Sequence, residues 1–330
     1  MTEFQPPEFR SHPLIRGGHL QTIFSVRSAA VLQSATTTHF VKLPDGDSIA
    51  VQEDCPESWQ VGDPAMLLVH GLAGCHRSPY MIRLAKRFHD LGMRVYRMDL
   101  RGCGAGAAVA TQLTHAGRSD DLREVLGFIA QQTQAGPMFA VAISLGANQL
   151  LRVVGRIGAG LDVRPGWLDR LERIAAVAPP LDLKRCSDNM QRRLLRPYNY
   201  YFIRLLLSRV PPGVRQREDF QAAAADSRPR TLRELDSQFT APLSGFTDAD
   251  DYYHQSSACH VTSGNPVDTL VMASANDPMV PIGCFTDDPA VWSDSTRLLI
   301  SPGGGHVGFI GPRRRCWMDD VLATWFQQPS

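Results

Sequence analysis

What the sequence lacks narrows it first. No apolar run approaches the ~18–20 residues needed to cross a bilayer. The N-terminal stretch MTEFQPPEFRSHPLIRGG contains no apolar segment of the kind a secretory signal needs. There is no excess of either charge: 34 Lys and Arg stand against 33 Asp and Glu, a formal net charge of +1, so nothing favours nucleic acid as a partner. The seven cysteines are odd in number and scattered, and no C-x-x-C occurs. That argues against a zinc ribbon or a disulfide framework and fits the reduced thiols of a cytoplasmic protein. Internal repeats and low-complexity linkers are missing as well. What remains is a 330-residue chain, 43% hydrophobic and 20% charged, long enough to build one large globular domain.

The apolar pattern alternates short runs with amphipathic stretches, the rhythm of a mostly parallel sheet covered on both faces. His39–Leu43 and Ser48–Gln52 flank a Pro44-Asp45-Gly46-Asp47 turn and predict an antiparallel pair. Strands are expected at Ala65–His70, Arg94–Met98, Met138–Ile143, Arg173–Ala178, Thr269–Ser274 and Thr296–Ser301. Helices are expected at Tyr80–Leu91, at Ser119–Gln132 with Ser119 as its cap, and at Arg313–Phe326. Residues 183–253 break the rhythm with helix-like, arginine-rich sequence. They read as a helical cap inserted into a single domain spanning 1–330, over the strand ends where open sheets bind ligands.

The chemistry centres on A-I-S-L-G at 142–146. An apolar run enters it and a helical run leaves it, so Ser144 sits on a strand-to-helix turn, the layout of a nucleophile elbow. A serine hydroxyl is a poor nucleophile unless a base takes its proton and a carboxylate orients the base. His306 ends the loop S-P-G-G-G-H after one strand, and Asp277 lies in A-S-A-N-D-P after the strand before it. The order Ser144, Asp277, His306 suits this arrangement, with Asp182 as an alternative acid. The backbone N–H groups of Leu145 and of Leu72, in L-L-V-H-G-L-A-G, are the expected oxyanion donors, with His70 and Gly71 shaping the loop.

Further segments carry a resemblance: G-G-H-L-Q-T-I at 17–23, V-H-G-L-A-G at 69–74, R-G-C-G at 101–104, S-L-G-A-N at 144–148, G-F-T-D-A-D-D-Y-Y at 245–253, N-D-P-M-V-P at 276–281 and G-G-H-V-G-F at 304–309. Together they resemble the α/β-hydrolase superfamily, specifically its YheT-like branch, over nearly the whole length. The resemblance implies a serine hydrolase with a helical cap acting on carboxylic esters, including acylglycerols, with no metal or organic cofactor. Acyl transfer or thioester hydrolysis by the same residues, and a non-catalytic binding scaffold, stand as alternatives. The chain departs from the pattern at Ala142 and Ala147, where glycine is common.

Other signals read as structural. R-G-C-G-A-G lacks the third glycine of a dinucleotide loop, so Asp99 is expected to brace a turn there and Cys103 to pack. His254, Cys259 and His260 match no metal spacing. Leu194, Leu195, Tyr198, Tyr201, Phe202, Leu205 and Leu206 recur at helical spacing and are expected to pack on the sheet domain or line an acyl pocket. The cap arginines and Arg313–Arg315 read as exposed.

Overall fold

The computed structural model describes residues 4–25 and 36–328. Among them eight strands form one sheet in the order β1-β2-β4-β3-β5-β6-β7-β8. The expected hairpin is present: β1 (Thr36–Lys42) pairs antiparallel with β2 (Ser48–Asp54), and β2 pairs antiparallel with β4 (Arg94–Met98). From there β3 (Ala65–Val69), β5 (Met138–Ile143), β6 (Leu171–Val177), β7 (Asp268–Ser274) and β8 (Thr296–Ser301) continue in parallel.

The parallel strands are continuously apolar because both faces are covered. Leu67, Val69, Ala140 and Ala142 pack with residues of α3 (Ser119–Thr133) and α4 (Leu145–Gly158). Met66, Leu68, Phe139 and Val141 point the other way, towards α2 (Pro79–Asp90) and the C-terminal α13 (Trp317–Phe326). Trp325 anchors that second layer. It is fully buried, and its indole N–H donates to the Ile174 carbonyl at 3.1 Å, so no polar atom is stranded. Truncating such a residue to alanine costs about 3–5 kcal/mol.

Two boundaries differ from expectation. The last helix starts at Trp317 rather than Arg313, because Arg313 and Arg314 adopt φ of 54° and 59° and cannot continue a right-handed turn. Ser119 does not cap α3; its hydroxyl accepts from Arg152 Nη1 at 2.6 Å instead.

Between β6 and β7 the described residues contain no strand. They form α5 (Leu183–Met190), α6 (Arg196–Ser208), α7 (Pro212–Arg215), α8 (Glu218–Ala224), α9 (Leu232–Leu235), α10 (Ala241–Leu243) and α11 (Ala249–Ser256), with a π-helical turn at Asp236–Thr240. Ile203, Val214, Phe220, Leu235 and Phe239 make a small core of their own. The buried side of α6 is Asn199 and Ile203; of the stripe expected from spacing, Leu195 is buried and Leu206 packs against this small core. Leu194 and Tyr201, both in that stripe, are exposed. The helix turns inward towards its neighbours in this segment rather than onto the sheet. The short α12 (Gly283–Thr286) follows β7, and α1 (Gly18–Phe24) precedes the sheet.

Candidate active site

β5 ends at Ile143 and α4 begins at Leu145, so one residue makes the turn. Ser144 has φ 52° and ψ −117°, a strained backbone for a side chain with a Cβ. Its N–H donates to the Val177 carbonyl of β6 at 2.8 Å, which ties the turn to the next strand. The sharpness of the turn demands small neighbours. A Cβ on Gly146 would stand 2.5 Å from the His70 carbonyl oxygen and 2.7 Å from Val69 Cγ1. Ala142 and Ala147, where the sequence departs from glycine, are fully buried in the layer of α3 and α4.

The structure brings Ser144 together with His306 and Asp277. Ser144 Oγ lies 2.9 Å from His306 Nε2, and His306 Nδ1 lies 2.7 Å from Asp277 Oδ2. Both partners are shielded, with side chains 11% and 3% exposed. An ionised carboxylate only accepts, so the imidazole proton sits on Nδ1 and the Nε2 lone pair faces the serine hydroxyl. The other carboxylate oxygen accepts from the amides of Met279 and Val280 at 2.8 and 3.1 Å, which fixes its aim after the Asp-Pro turn. Asp182 is not part of this line: its side chain caps α5 by accepting from the Arg185 amide at 2.9 Å.

The loop after β3 lies against the serine, close enough that a Cβ on Gly71 would touch Ser144 Cβ at 3.0 Å. The Gly71 N–H is committed to Tyr80 Oη at 3.0 Å. The amides of Leu72 and Leu145 have no partner among the described residues; Leu145 is the first residue of α4, where no helical acceptor exists. Behind the loop His70 is a buried neutral pillar. Its Nδ1–H donates to the Gly71 carbonyl at 2.8 Å and its Nε2 accepts from the Leu100 amide at 3.0 Å. Desolvation holds its pKa below the ordinary value, so it does not compete as a base. Asp99 accepts from the His76 and Ala105 amides at 2.6 and 2.9 Å and braces the R-G-C-G turn. Burial pushes the Cys103 thiol up to about 12, which leaves it unreactive.

One contributor was visible in the sequence only as a motif without a role. α1 wedges between the loops that carry His306 and Asp277. Thr22 Oγ1 accepts from the His306 amide at 2.8 Å and donates to the Gly18 carbonyl at 2.7 Å. Gln21 donates to the carbonyls of Ile15 and Ile310 at 2.7 and 3.0 Å and accepts from the Ile310 amide at 2.7 Å. The fit requires glycine: a Cβ on Gly305, at φ 59°, would lie 2.2 Å from the Gly18 oxygen. No local pattern signals this, because the partners are nearly a whole chain apart.

The segment between β6 and β7 touches the loop that carries Asp277, the loop after β3, and α1. Asn189 Nδ2 donates to the carbonyls of Pro278 and Met279 at 2.9 and 3.0 Å. Arg209 donates to the Ala73 carbonyl, and Tyr198 Oη meets His19 Nδ1 at 3.1 Å.

Comparison with known proteins agrees with this architecture. The profile of the alpha/beta hydrolase fold matches residues 64–311. YheT of Escherichia coli (strain K12) is 26% identical over 316 residues, covering 93% of this chain and 89% of that protein. Phospholipase ABHD3 of Mus musculus is 27% identical over 273 residues, covering 80% of this chain and 63% of the relative. Among solved structures, an esterase of Pyrococcus furiosus, Pf2001, superimposes with a TM-score of 0.57 over 98% of both chains at 11% identity, a likeness of fold alone.

Proposed function

Because the chain belongs to the alpha/beta hydrolase fold family, we propose that it hydrolyses carboxylic esters through an acyl-enzyme on Ser144. The observation that carries this reading is the unbroken line from Ser144 Oγ through His306 to Asp277, at 2.9 and 2.7 Å. Relatives named for ester hydrolysis, such as the mouse phospholipase, support the substrate class.

In the proposed reaction Ser144 Oγ attacks the ester carbonyl carbon while His306 Nε2 takes its proton. Asp277 holds the imidazole in the required tautomer and stabilises its charged form. The negative charge developing on the carbonyl oxygen is taken by the N–H groups of Leu72 and Leu145, each worth roughly 2.7–4 kcal/mol of transition-state stabilisation. The intermediate collapses, His306 protonates the departing alcohol, and water activated by the same nitrogen releases the acid. No step calls on a metal or organic cofactor.

Residues 183–253 act in this reading as a cap that roofs the site within one domain. The hydrogen bonds from Asn189 and Arg209 to the Asp277 loop and the loop after β3, and from Tyr198 to α1, support it. A fluorophosphonate probe tests the nucleophile: the parent protein is labelled and Ser144→Ala is not. Labelling that survives the substitution overturns the assignment.

A further inference from the structure

We propose that α6 and α1 together form a face that docks on the surface of an anionic phospholipid bilayer, with α6 lying in the headgroup layer. The residues of α6 divide by angle. Asn199 and Ile203 are buried, whereas Arg196, Pro197, Tyr200, Tyr201 and Arg204 are exposed. These positions trace a single stripe along the helix. Tyr200 is 66% and Tyr201 54% exposed, and Leu194, just before the helix, is 76% exposed. α1 meets α6 where the His19 and Tyr198 rings stack, and it presents Leu20 and Ile23 to solvent. Of twelve exposed large apolar side chains among the described residues, four thus lie on the touching helices α1 and α6 and a fifth, Leu194, just before α6, a concentration that scattered surface hydrophobics do not produce.

Charge selects the occupant. From Asn189 to Arg217 the chain has seven arginines and no aspartate or glutamate, in a protein whose net charge is only +1. Arg193, Arg196 and Arg204 are exposed and form no ion pair among the described residues. Of the acids flanking that stretch, Asp188 is engaged by Lys184 and Arg233 and Asp219 by Arg217, while Glu218 is exposed at the far end of the run, beyond α7. Free arginines interleaved with tyrosine and leucine match the chemistry of a headgroup layer, where guanidinium meets phosphate and the rings sit at the polar–apolar boundary. No helix among the described residues is long and apolar enough to cross a membrane, so the contact is peripheral. The face also adjoins the site, since α1 carries both His19, which contacts α6, and Thr22, which holds His306. An ester dissolved in the bilayer would arrive beside Ser144.

Co-sedimentation with vesicles of phosphatidylcholine, with or without phosphatidylglycerol, tests the face. Using the whole chain as Ser144→Ala reads binding without turnover, so failure of the ester-hydrolase reading leaves the result intact. Binding is expected to anionic vesicles, to be weak to neutral ones, and to fall as salt shortens the screening length. The R193Q/R196Q/R204Q variant should lose about a hundredfold in partitioning, from roughly fivefold per arginine. Replacing Tyr200 and Tyr201 by serine should weaken binding while keeping its salt dependence. All of these side chains are exposed, so each variant should melt at the parental temperature. Absence of binding to anionic vesicles, equal binding to both vesicle types, or undiminished binding by the arginine variant overturns the proposal.

Discussion

The His306 amide donates to Thr22 Oγ1 at 2.8 Å, across 284 residues of sequence. The loop that presents the imidazole is thus fixed from outside itself, by a helix that precedes the whole sheet. Thr22→Val keeps the shape and removes the acceptor. It leaves a buried N–H unpaired, at about 1–3 kcal/mol, and should lower kcat on a soluble p-nitrophenyl ester about tenfold with KM unchanged. Thr22→Ser, which retains the oxygen, should restore the rate. An unchanged kcat in Thr22→Val would remove α1 from the account of the site.

Asp277→Asn tests the orientation of the base. The amide nitrogen can donate where the carboxylate accepts, which favours the tautomer whose proton sits on the wrong side of the ring. By the proposed mechanism kcat at neutral pH falls by about 10⁴, while the circular dichroism spectrum and melting temperature stay close to those of the parent. A loss smaller than tenfold would assign the acid elsewhere.

The elbow leaves no room at Gly146. An added methyl would sit 2.5 Å from the His70 oxygen, a backbone atom that cannot swing aside. Gly146→Ala should therefore displace β3 from the turn, cutting activity and lowering stability by roughly 1–3 kcal/mol, measured by urea unfolding.

His115 provides a pH test. Burial first, then the charges of Arg118, Arg101 and Arg152, bring its pKa down to about 3 from 6.5. The folded protein keeps it neutral while the unfolded chain protonates below pH 6.5. Below that pH the unfolded state holds more protons, so this group's contribution to stability is full above pH 6.5 and declines as pH falls towards 3. By pH 5 the loss is about 2 kcal/mol. Asp236 works in the opposite sense, since burial raises its carboxyl to about 6 and favours the folded state as acid is added. Comparing His115→Asn with the parent isolates the histidine. Between pH 7.5 and pH 5 the parent should lose about 2 kcal/mol more than the variant, read from urea unfolding at the two pH values.

Much of this arrangement is legible in the chain. Strands such as Met138–Ile143 and Arg94–Met98 are short apolar runs bounded by turn residues, and they fall on the expected residues. Ser144, Asp277 and His306 are legible because each follows a strand in a parallel sheet, where the ends of strands converge. Tertiary contacts decide what local pattern cannot. The buried side of α6 is set by the small core around Ile203 and Phe239, so the spacing of Leu194 and Tyr201 misleads. Arg313 and Arg314 look like the start of a helix until the Ile310–Cys316 bridge bends the backbone into left-handed φ. Thr22 could be singled out only as part of a motif, because its partner lies at the opposite end of the chain.

In the proposed reaction the acyl group passes through Ser144. Intact-mass analysis after brief exposure to p-nitrophenyl trimethylacetate, whose acyl group leaves serine slowly, tests it most directly. The expected result is a mass increase of one acyl group, a matching burst of p-nitrophenol, and an adduct on the peptide containing Ser144 that is absent from Ser144→Ala. An adduct on another residue, or hydrolysis by Ser144→Ala at the parental rate, would contradict it.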